Sequence, residues 1–259
     1  MKKILSPKID VVFRMLFGEQ KHERITKKLI EDVIEEKVEK IELEQTPYLW
    51  GNQADDKLGI IDVRATINDK NPIDIEMQIL NNHDIEKRIL FYCAKLFTSS
   101  LKSGYDYSTL EKSISILITN YELENQKDIK KYITKWNLRE ETYPMHILTD
   151  TMEIYIIELK KFKKFKDNSN YKQLNSWIKF IESSEEEIDM SNKEIVKAKK
   201  VLEEISQDEH ERYLAELREK YILDQNNIEA TGYDKGLKQG KKEIAKEMIK
   251  EKIPLEVIS

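Results

Sequence analysis

Four polar residues that could bind a metal ion lie in a short stretch of sequence that is otherwise rich in Ile and Val. The stretch reads IIDVRATINDKNPIDIEMQ, residues 60–78, and contains Asp62, Asp74, Glu76 and Gln78. Carboxylate and carbonyl oxygens are the ligands that Mg²⁺ and Ca²⁺ take in proteins. A solvated face of a sheet would carry the same residues without any ion. The stretch is therefore open to two interpretations, a metal site and an ordinary polar sheet face.

The alternation of residues predicts a hairpin that brings these side chains together. Residues 60–67 and 73–80 alternate apolar and polar side chains, and NDKNP between them is typical of a turn. If the apolar sets share one face, the polar sets share the other. One register then sets Asp62 directly opposite Glu76, and a second sets Asp62 opposite Gln78 with Glu76 diagonal. Opposed Cβ atoms lie about 5 Å apart and diagonal ones about 7 Å apart, so one divalent ion could bridge the two carboxylates in either register.

The composition excludes several classes of protein. Gly (7) and Pro (5) are too scarce for an all-β protein with many tight turns, and 36% of the residues are charged. The single cysteine excludes an intrachain disulfide, and the four histidines show no spacing typical of a zinc site. No apolar run is long enough for a membrane span or a secretory signal. We expect a cytoplasmic protein without a membrane partner.

The hydrophobic pattern predicts an α/β core around the hairpin. A helix after the hairpin would bury Ile85, Ile89, Cys93 and Leu96 on one stripe. The order of elements is α-β-β-β-α-β with a further strand, which favours a mixed sheet flanked by helices. The predicted elements are a short and a longer helix within 6–37, a strand within 39–50, the two hairpin strands, the helix with Asn82 as its N-cap, and buried strands at 113–121 and 153–161.

The character of the chain changes near residue 167. We predict one domain over 1–167 and a charged α-helical C-terminal region over 168–259. In the latter, Gly232, Gly236 and Gly240 are spaced four apart, with Lys and Gln between them. In water such a helix would gain order by packing against another chain, so we expect a homo-oligomer formed through the C-terminal helices.

Five segments together resemble a known family. The segments are SPKIDVVFRMLFG, IIDVRATIND, IDIEMQ, EKRILFYCAKLF and EIYIIELKKF, and they span about residues 6–163. They resemble the PD-(D/E)XK nuclease superfamily, in particular its branch of recombination-promoting nucleases that carry the name of transposases. Two features together are specific to this family. IDIEMQ follows an aspartate at this distance, and the pattern KRxxxY comes after it. The resemblance implies a restriction-endonuclease-like αβββαβ core with a mixed central sheet, followed by an α-helical C-terminal region.

The resemblance also implies roles for individual residues. Asp62 is the first metal-binding acid and Glu76 the second, and the carbonyl of Met77 is a further ligand. The implied ion is Mg²⁺, with Mn²⁺ or Ca²⁺ as alternatives. Gln78 stands where the wider superfamily has lysine, and it can orient the attacking water but supplies no positive charge. More of the charge stabilisation therefore falls on the ion, helped by Arg88.

Three supporting residues each have two interpretations. Asp10 either approaches the metal site from the first helix or caps that helix. Arg88 and Tyr92 lie one helical turn apart. They either face the active site, with Arg88 on phosphate and Tyr92 on Gln78 or water, or they leave Arg88 exposed and Tyr92 partly in the core.

The expected function is that of a metal-dependent DNA endonuclease linked to recombination or mobile elements. The alternative is a catalytically weak or inactive protein of the nuclease fold that binds DNA or a protein partner through its helical tail. A third interpretation is a structural oligomer, supported by the charged helices after residue 167. The intact pair Asp62 and Glu76 favours activity, whereas the missing lysine and the net charge of −5 favour the second interpretation.

Overall fold

A six-stranded mixed sheet forms the centre of the molecule. The computed structural model describes residues 3–44, 63–81, 84–101, 106–166, 171–183 and 191–251. The strands follow the order β1-β2-β3-β4-β6-β5, in which β3, β4 and β6 are parallel and the other neighbours are antiparallel. The strands are β1 (Ile41–Leu43), β2 (Val63–Ile67), β3 (Asn71–Gln78), β4 (Ser113–Thr119), β5 (Ile133–Arg139) and β6 (Ile147–Glu158).

Seven α-helices accompany the sheet within the described ranges. They are α1 (Asp10–Phe17), α2 (Glu23–Ile34), α3 (Ile85–Ser99), α4 (Leu159–Phe165), α5 (Lys172–Glu182), α6 (Lys193–Gln207) and α7 (Glu209–Lys250). None of these helices is both long and apolar enough to cross a bilayer. The predicted α/β fold, with its αβββαβ core, mixed sheet and helical C-terminal region, is confirmed. The prediction omitted one strand, β5, which lies in the basic stretch before β6.

One face of the sheet is covered by helices from both ends of the core. Phe17 of α1 contacts Trp177 of α5 edge-on, with the ring centroids 5.9 Å apart. The indole of Trp177 also donates a hydrogen bond of 2.9 Å to Asp32 on α2. Helix α5 therefore belongs to the same core as α1 and α2, and the buried residues of α6 belong to it as well. Packing divides the chain into one compact unit over Met1–Glu216 and a second over Leu217–Ser259. The predicted domain boundary near residue 167 stays a prediction.

Helix α3 covers the other face. The four residues of the predicted stripe are buried, together with Tyr92. Ile85 and Ile89 pack with Leu117 of β4 and Ile156 of β6. The prediction of its start was wrong, because the helix begins at Ile85 with Asp84 as its N-cap. The carboxylate of Asp84 makes no capping hydrogen bond and instead pairs with Lys87. The predicted cap, Asn82, lies outside the described residues.

The hairpin turn between β2 and β3 is built from residues that tolerate left-handed backbone. Asn68 and Asp69 have φ angles of 53° and 61°. Short polar side chains adopt this conformation more readily than others because they can hydrogen-bond locally. The N–H of Lys70 donates to the carbonyl of Ile67 at 3.2 Å, which closes the turn. The predicted hairpin is therefore confirmed, with β3 starting at Asn71.

Candidate active site

The polar face of the hairpin is buried. Asp74 has no exposed surface and Glu76 is 2% exposed, because β4 pairs along β3 on one side and α3 crosses above it. A strand in the middle of a mixed sheet with helices on both faces is shielded on both of its sides. The interpretation of this stretch as an ordinary solvated sheet face is therefore wrong. Buried carboxylates without a compensating charge are costly, so the partners of these two decide what the face can do.

The register of the hairpin distinguishes the two predicted pairings. Val63 pairs with Ile75 and Arg64 with Asp74. These pairs belong to the first predicted register, and they place Arg64 and the acidic residues of β3 on the same face. Asp62, the first predicted acid, lies outside the described residues.

Glu76 is paired with a cation from the helix above it. The guanidinium of Arg88 donates to Oε1 of Glu76 and forms an ion pair with it. Burial raises the pKa of Glu76 above its usual value, the charge of Arg88 lowers it, and the charge of Asp10 raises it. Within the described ranges, Oε2 of Glu76 has no hydrogen-bond partner. The site therefore offers one carboxylate oxygen that is buried and unsatisfied, which is costly unless a donor or a cation binds there.

Arg88 and Tyr92 lie on the side of α3 that faces Glu76. The guanidinium carbon of Arg88 is 5.5 Å from the centroid of the Tyr92 ring, and Tyr92 is buried. This distance fits a cation–π contact that holds the guanidinium over the ring. The alternative in which Arg88 points away into solvent is wrong, since its side chain is only 28% exposed and bound to Glu76. The roles of the two residues toward phosphate and water stay predictions.

Asp74 is a second buried acid on the same face, and it is one of the four polar residues of this stretch that could bind a metal ion. Ser115 of β4 donates a hydrogen bond to Oδ1, whereas Oδ2 has no partner in the described part of the chain. Burial raises the pKa of Asp74 from an ordinary 3.8 to about 7, with Glu76 adding to the rise and Ser115 and Arg64 opposing it. Period-two alternation predicts that Asp74 shares a face with Glu76, and its burial beside Glu76 agrees with that prediction.

Gln78 and Met77 close the site at the carboxyl end of β3. The side-chain amide of Gln78 donates to the carbonyl of Leu80 at 3.0 Å, and the side chain is half-buried. A neutral amide therefore occupies this end of the strand. The side chain of Met77 lies in the core on the opposite face. The proposed use of its carbonyl as a metal ligand stays a prediction.

Asp10 lies in the first turn of α1. Its carboxylate accepts a hydrogen bond of 2.8 Å from the N–H of Val11, whereas Ile9 is the N-cap residue and makes no side-chain cap. Asp10 is therefore not the N-cap of this helix. Its electrostatic effect on Glu76 shows that the carboxylate is close to the site.

The described residues of this face carry the type of ligand atom that a hard divalent cation binds. Among the described residues no group of three or more His, Cys, Asp or Glu side chains is placed to hold a metal ion. The face does hold two buried carboxylates, Asp74 and Glu76, each with one oxygen that lacks a hydrogen-bond partner among those residues. Carboxylate oxygens are the donors that Mg²⁺ prefers, and this ion keeps several waters and needs few protein ligands.

The comparison with known families agrees with this geometry. A family model described as PD-(D/E)XK nuclease family transposase matches residues 7–232. No curated protein and no solved structure gives a significant match to the chain. The matched residues include most of the chain, from the start of the core into α7. The chain therefore belongs to the PD-(D/E)XK nuclease family of transposases.

Proposed function

We propose that this chain is a divalent-cation-dependent DNA endonuclease that hydrolyses phosphodiester bonds, and that it is linked to DNA recombination or mobile elements. The observation that carries the proposal is the buried carboxylate of Glu76, whose Oε2 has no hydrogen-bond partner in the described ranges and whose Oε1 is bound by Arg88. Membership of a nuclease family supports the class of reaction. The same family supports DNA as the substrate.

Asp62, Glu76 and the carbonyl of Met77 would hold the ion, which we propose to be Mg²⁺. Asp62 directly precedes Val63, and the partner of Val63, Ile75, directly precedes Glu76. The register that Val63 and Ile75 adopt is the one in which the sequence predicts Asp62 opposite Glu76. A bound Mg²⁺ supplies a Lewis acid for a phosphoryl oxygen and lowers the pKa of a coordinated water.

Arg88 would supply the positive charge that lysine supplies elsewhere in the superfamily. In the described structure its guanidinium neutralises Glu76. The same guanidinium would bind a phosphate oxygen of the substrate, for which its planar array of donors is well suited. The Tyr92 ring beneath it limits the orientations that it can take. Gln78 would orient the attacking water through its amide.

The reaction is a hydrolysis at phosphorus. The water oxygen forms a bond to phosphorus while the bond from phosphorus to the 3′-oxygen breaks, which leaves 5′-phosphate and 3′-hydroxyl ends. The role of the chain is to position water and phosphate and to stabilise the charge that develops. No covalent bond to the protein is required.

Plasmid cleavage with matched variants tests the proposal. Supercoiled DNA is incubated with the parent chain, Asp62→Ala and Glu76→Gln, each in EDTA, Mg²⁺ and Mn²⁺. Nicking should require the added ion and should fall by at least about 100-fold in both variants. Glu42→Gln, which removes an exposed carboxylate from β1 of the same sheet, is the matched control and should cut like the parent. Equal nicking by Glu76→Gln and the parent would refute the assignment.

The second candidate function is a weak or inactive nuclease fold that binds DNA or a protein partner through its helical tail. Two observations favour it, the ion pair that occupies Oε1 of Glu76 and the neutral Gln78 at the end of β3. A gel shift of DNA without ion-dependent cutting would select this candidate. Cutting that Asp62→Ala abolishes would reject it.

A further inference from the structure

The outer edge of β5 is a second surface of interest, separate from the candidate active site. β5 (Ile133–Arg139) is the last strand in the order of the sheet, and it pairs with β6 on its inner side only. Within the described ranges no strand pairs with its outer side. An edge of this length presents a row of backbone N–H and C=O groups that can pair with another strand.

The usual devices that protect an edge strand are weak in β5. The sequence ITKWNLR contains no proline. The ammonium of Lys135 is 2.9 Å from Glu153 and 5.3 Å from the centroid of the Tyr155 ring, so its charge is held on the sheet face. The register with β6 shifts between Trp136 and Leu138, but the extra residues lie on β6, and β5 itself runs continuously. The edge is therefore open to pairing.

Large apolar side chains are exposed along this edge. Trp136 is 43% exposed and Leu138 is 48% exposed, two residues apart on one face of the strand. The indole N–H of Trp136 donates to the hydroxyl of Thr134 at 2.8 Å, which satisfies its only polar group and leaves the ring surface apolar. A strand face of this kind gains free energy when an apolar partner covers it.

The charges around β5 identify a partner with the same sequence. Lys130 and Lys131 precede the strand, and Glu140 and Glu141 follow it. Because antiparallel strands run in opposite directions, two copies of β5 would set the basic start of each against the acidic end of the other. Counted in a register centred on Trp136, Lys131 falls opposite Glu141 of the second copy, each two residues beyond an end of β5.

We infer that β5 pairs antiparallel with β5 of a second copy of this chain, about a two-fold axis at Trp136. The two Trp136 side chains then face each other across the axis, and Leu138 faces Thr134 of the second copy. Aromatic pairs at opposed positions of a sheet contribute beyond their buried area. The interface joins the two sheets through backbone hydrogen bonds and is distinct from the predicted contact of the C-terminal helices.

Charge reversal tests the register in the full-length chain. Sedimentation velocity should find a dimer for the parent. Lys131→Glu and Glu141→Lys should each weaken dimerisation by about fivefold or more, because each puts like charges opposite one another twice. The double variant restores opposite charges and should restore the dimer. A double variant that dimerises no better than the single variants would overturn the proposed register.

Cysteine crosslinking tests the axis. In Trp136→Cys the two thiols meet on the axis at a spacing that a disulfide can span. In Leu138→Cys, the matched control on the same face, the two thiols lie about 13 Å apart along the strands and should not crosslink. The only native cysteine, Cys93, is buried. Selective crosslinking of Trp136→Cys supports the proposal, and equal crosslinking of both variants overturns it.

Two other outcomes also overturn the inference. One is a parent chain that is monomeric at about 100 µM. The other is a monomer whose DNA binding falls on Trp136→Ala, which would assign the edge to nucleic acid instead. The inference does not depend on the proposed nuclease activity, because Glu76→Gln should dimerise like the parent. Circular dichroism of each variant establishes that a lost dimer is not a lost fold.

Discussion

Replacing Asp74 with asparagine tests whether β3 buries a carboxyl group at a cost that depends on pH. The pKa of Asp74 is raised from 3.8 to about 7, mainly by burial. In the folded chain the group therefore keeps its proton up to about pH 7, whereas in the unfolded chain it loses the proton near pH 4. Between these values the unfolded state binds fewer protons than the folded state, so the free energy of unfolding falls as pH rises.

The size of the effect follows from the shift. A rise of about 3 pKa units corresponds to about 4 kcal/mol of lost stability by pH 8, as an upper estimate, since each unit is worth about 1.4 kcal/mol. Asparagine keeps the size of the side chain and an acceptor for the hydroxyl of Ser115, but it cannot ionise. Asp74→Asn should therefore gain stability relative to the parent as pH rises, whatever the difference between the two at pH 4.

Urea unfolding at several pH values measures this difference. The fluorescence of Trp177, which is buried in the core, reports the transition. The difference in unfolding free energy between Asp74→Asn and the parent should grow by roughly 3 kcal/mol from pH 5 to pH 8. Asp69→Asn, which changes an exposed carboxylate in the same hairpin, is the control and should follow the parent. Parallel curves for Asp74→Asn and the parent would refute the reasoning.

Three further predictions concern other contacts. Arg88→Ala should lower the free energy of unfolding by about 1–3 kcal/mol in urea, because it leaves the carboxylate of Glu76 buried without its cation, and Arg88→Lys should lose less. Trp177→Phe should cost about 2 kcal/mol or more by the same measurement, since Asp32 loses a buried donor and the smaller ring leaves space. Gly236→Ala should raise the helical signal in circular dichroism and stabilise α7 by about 1 kcal/mol, because an added Cβ meets no atom within 4 Å. A loss of helicity in that variant would indicate that a second chain contacts the glycine.

The sequence predicted the hairpin but could not choose its register. Both candidate registers keep the polar residues of β2 and β3 on one face, so period-two alternation fits either. The choice depends on the turn, where Asn68 and Asp69 adopt positive φ angles. Residues with these angles form a short turn, on either side of which Ile67 pairs with Asn71. Counting back along both strands from that pair, Val63 pairs with Ile75.

The local sequence pattern could not predict that the site is buried. Whether Asp74 and Glu76 face water or a helix depends on where α3 returns over the sheet, and this is a contact between distant parts of the chain. Strand β5 was missed for a related reason. Only Ile133 of its seven residues is fully buried, so an edge strand of this kind shows little of the apolar alternation that marks a strand.

The contacts of Trp177 with Phe17 and Asp32 determine how far the chain can be shortened from its C-terminal end. Trp177 lies 145 residues after Asp32, so the first two helices complete their packing only after α5 has been synthesised. A fragment that stops at residue 167 would expose the apolar surface of α1 and leave Asp32 without its indole donor. Such a fragment should be prone to aggregation, whereas one that extends to Glu216 retains the core residues of α6 and Ala215 of α7.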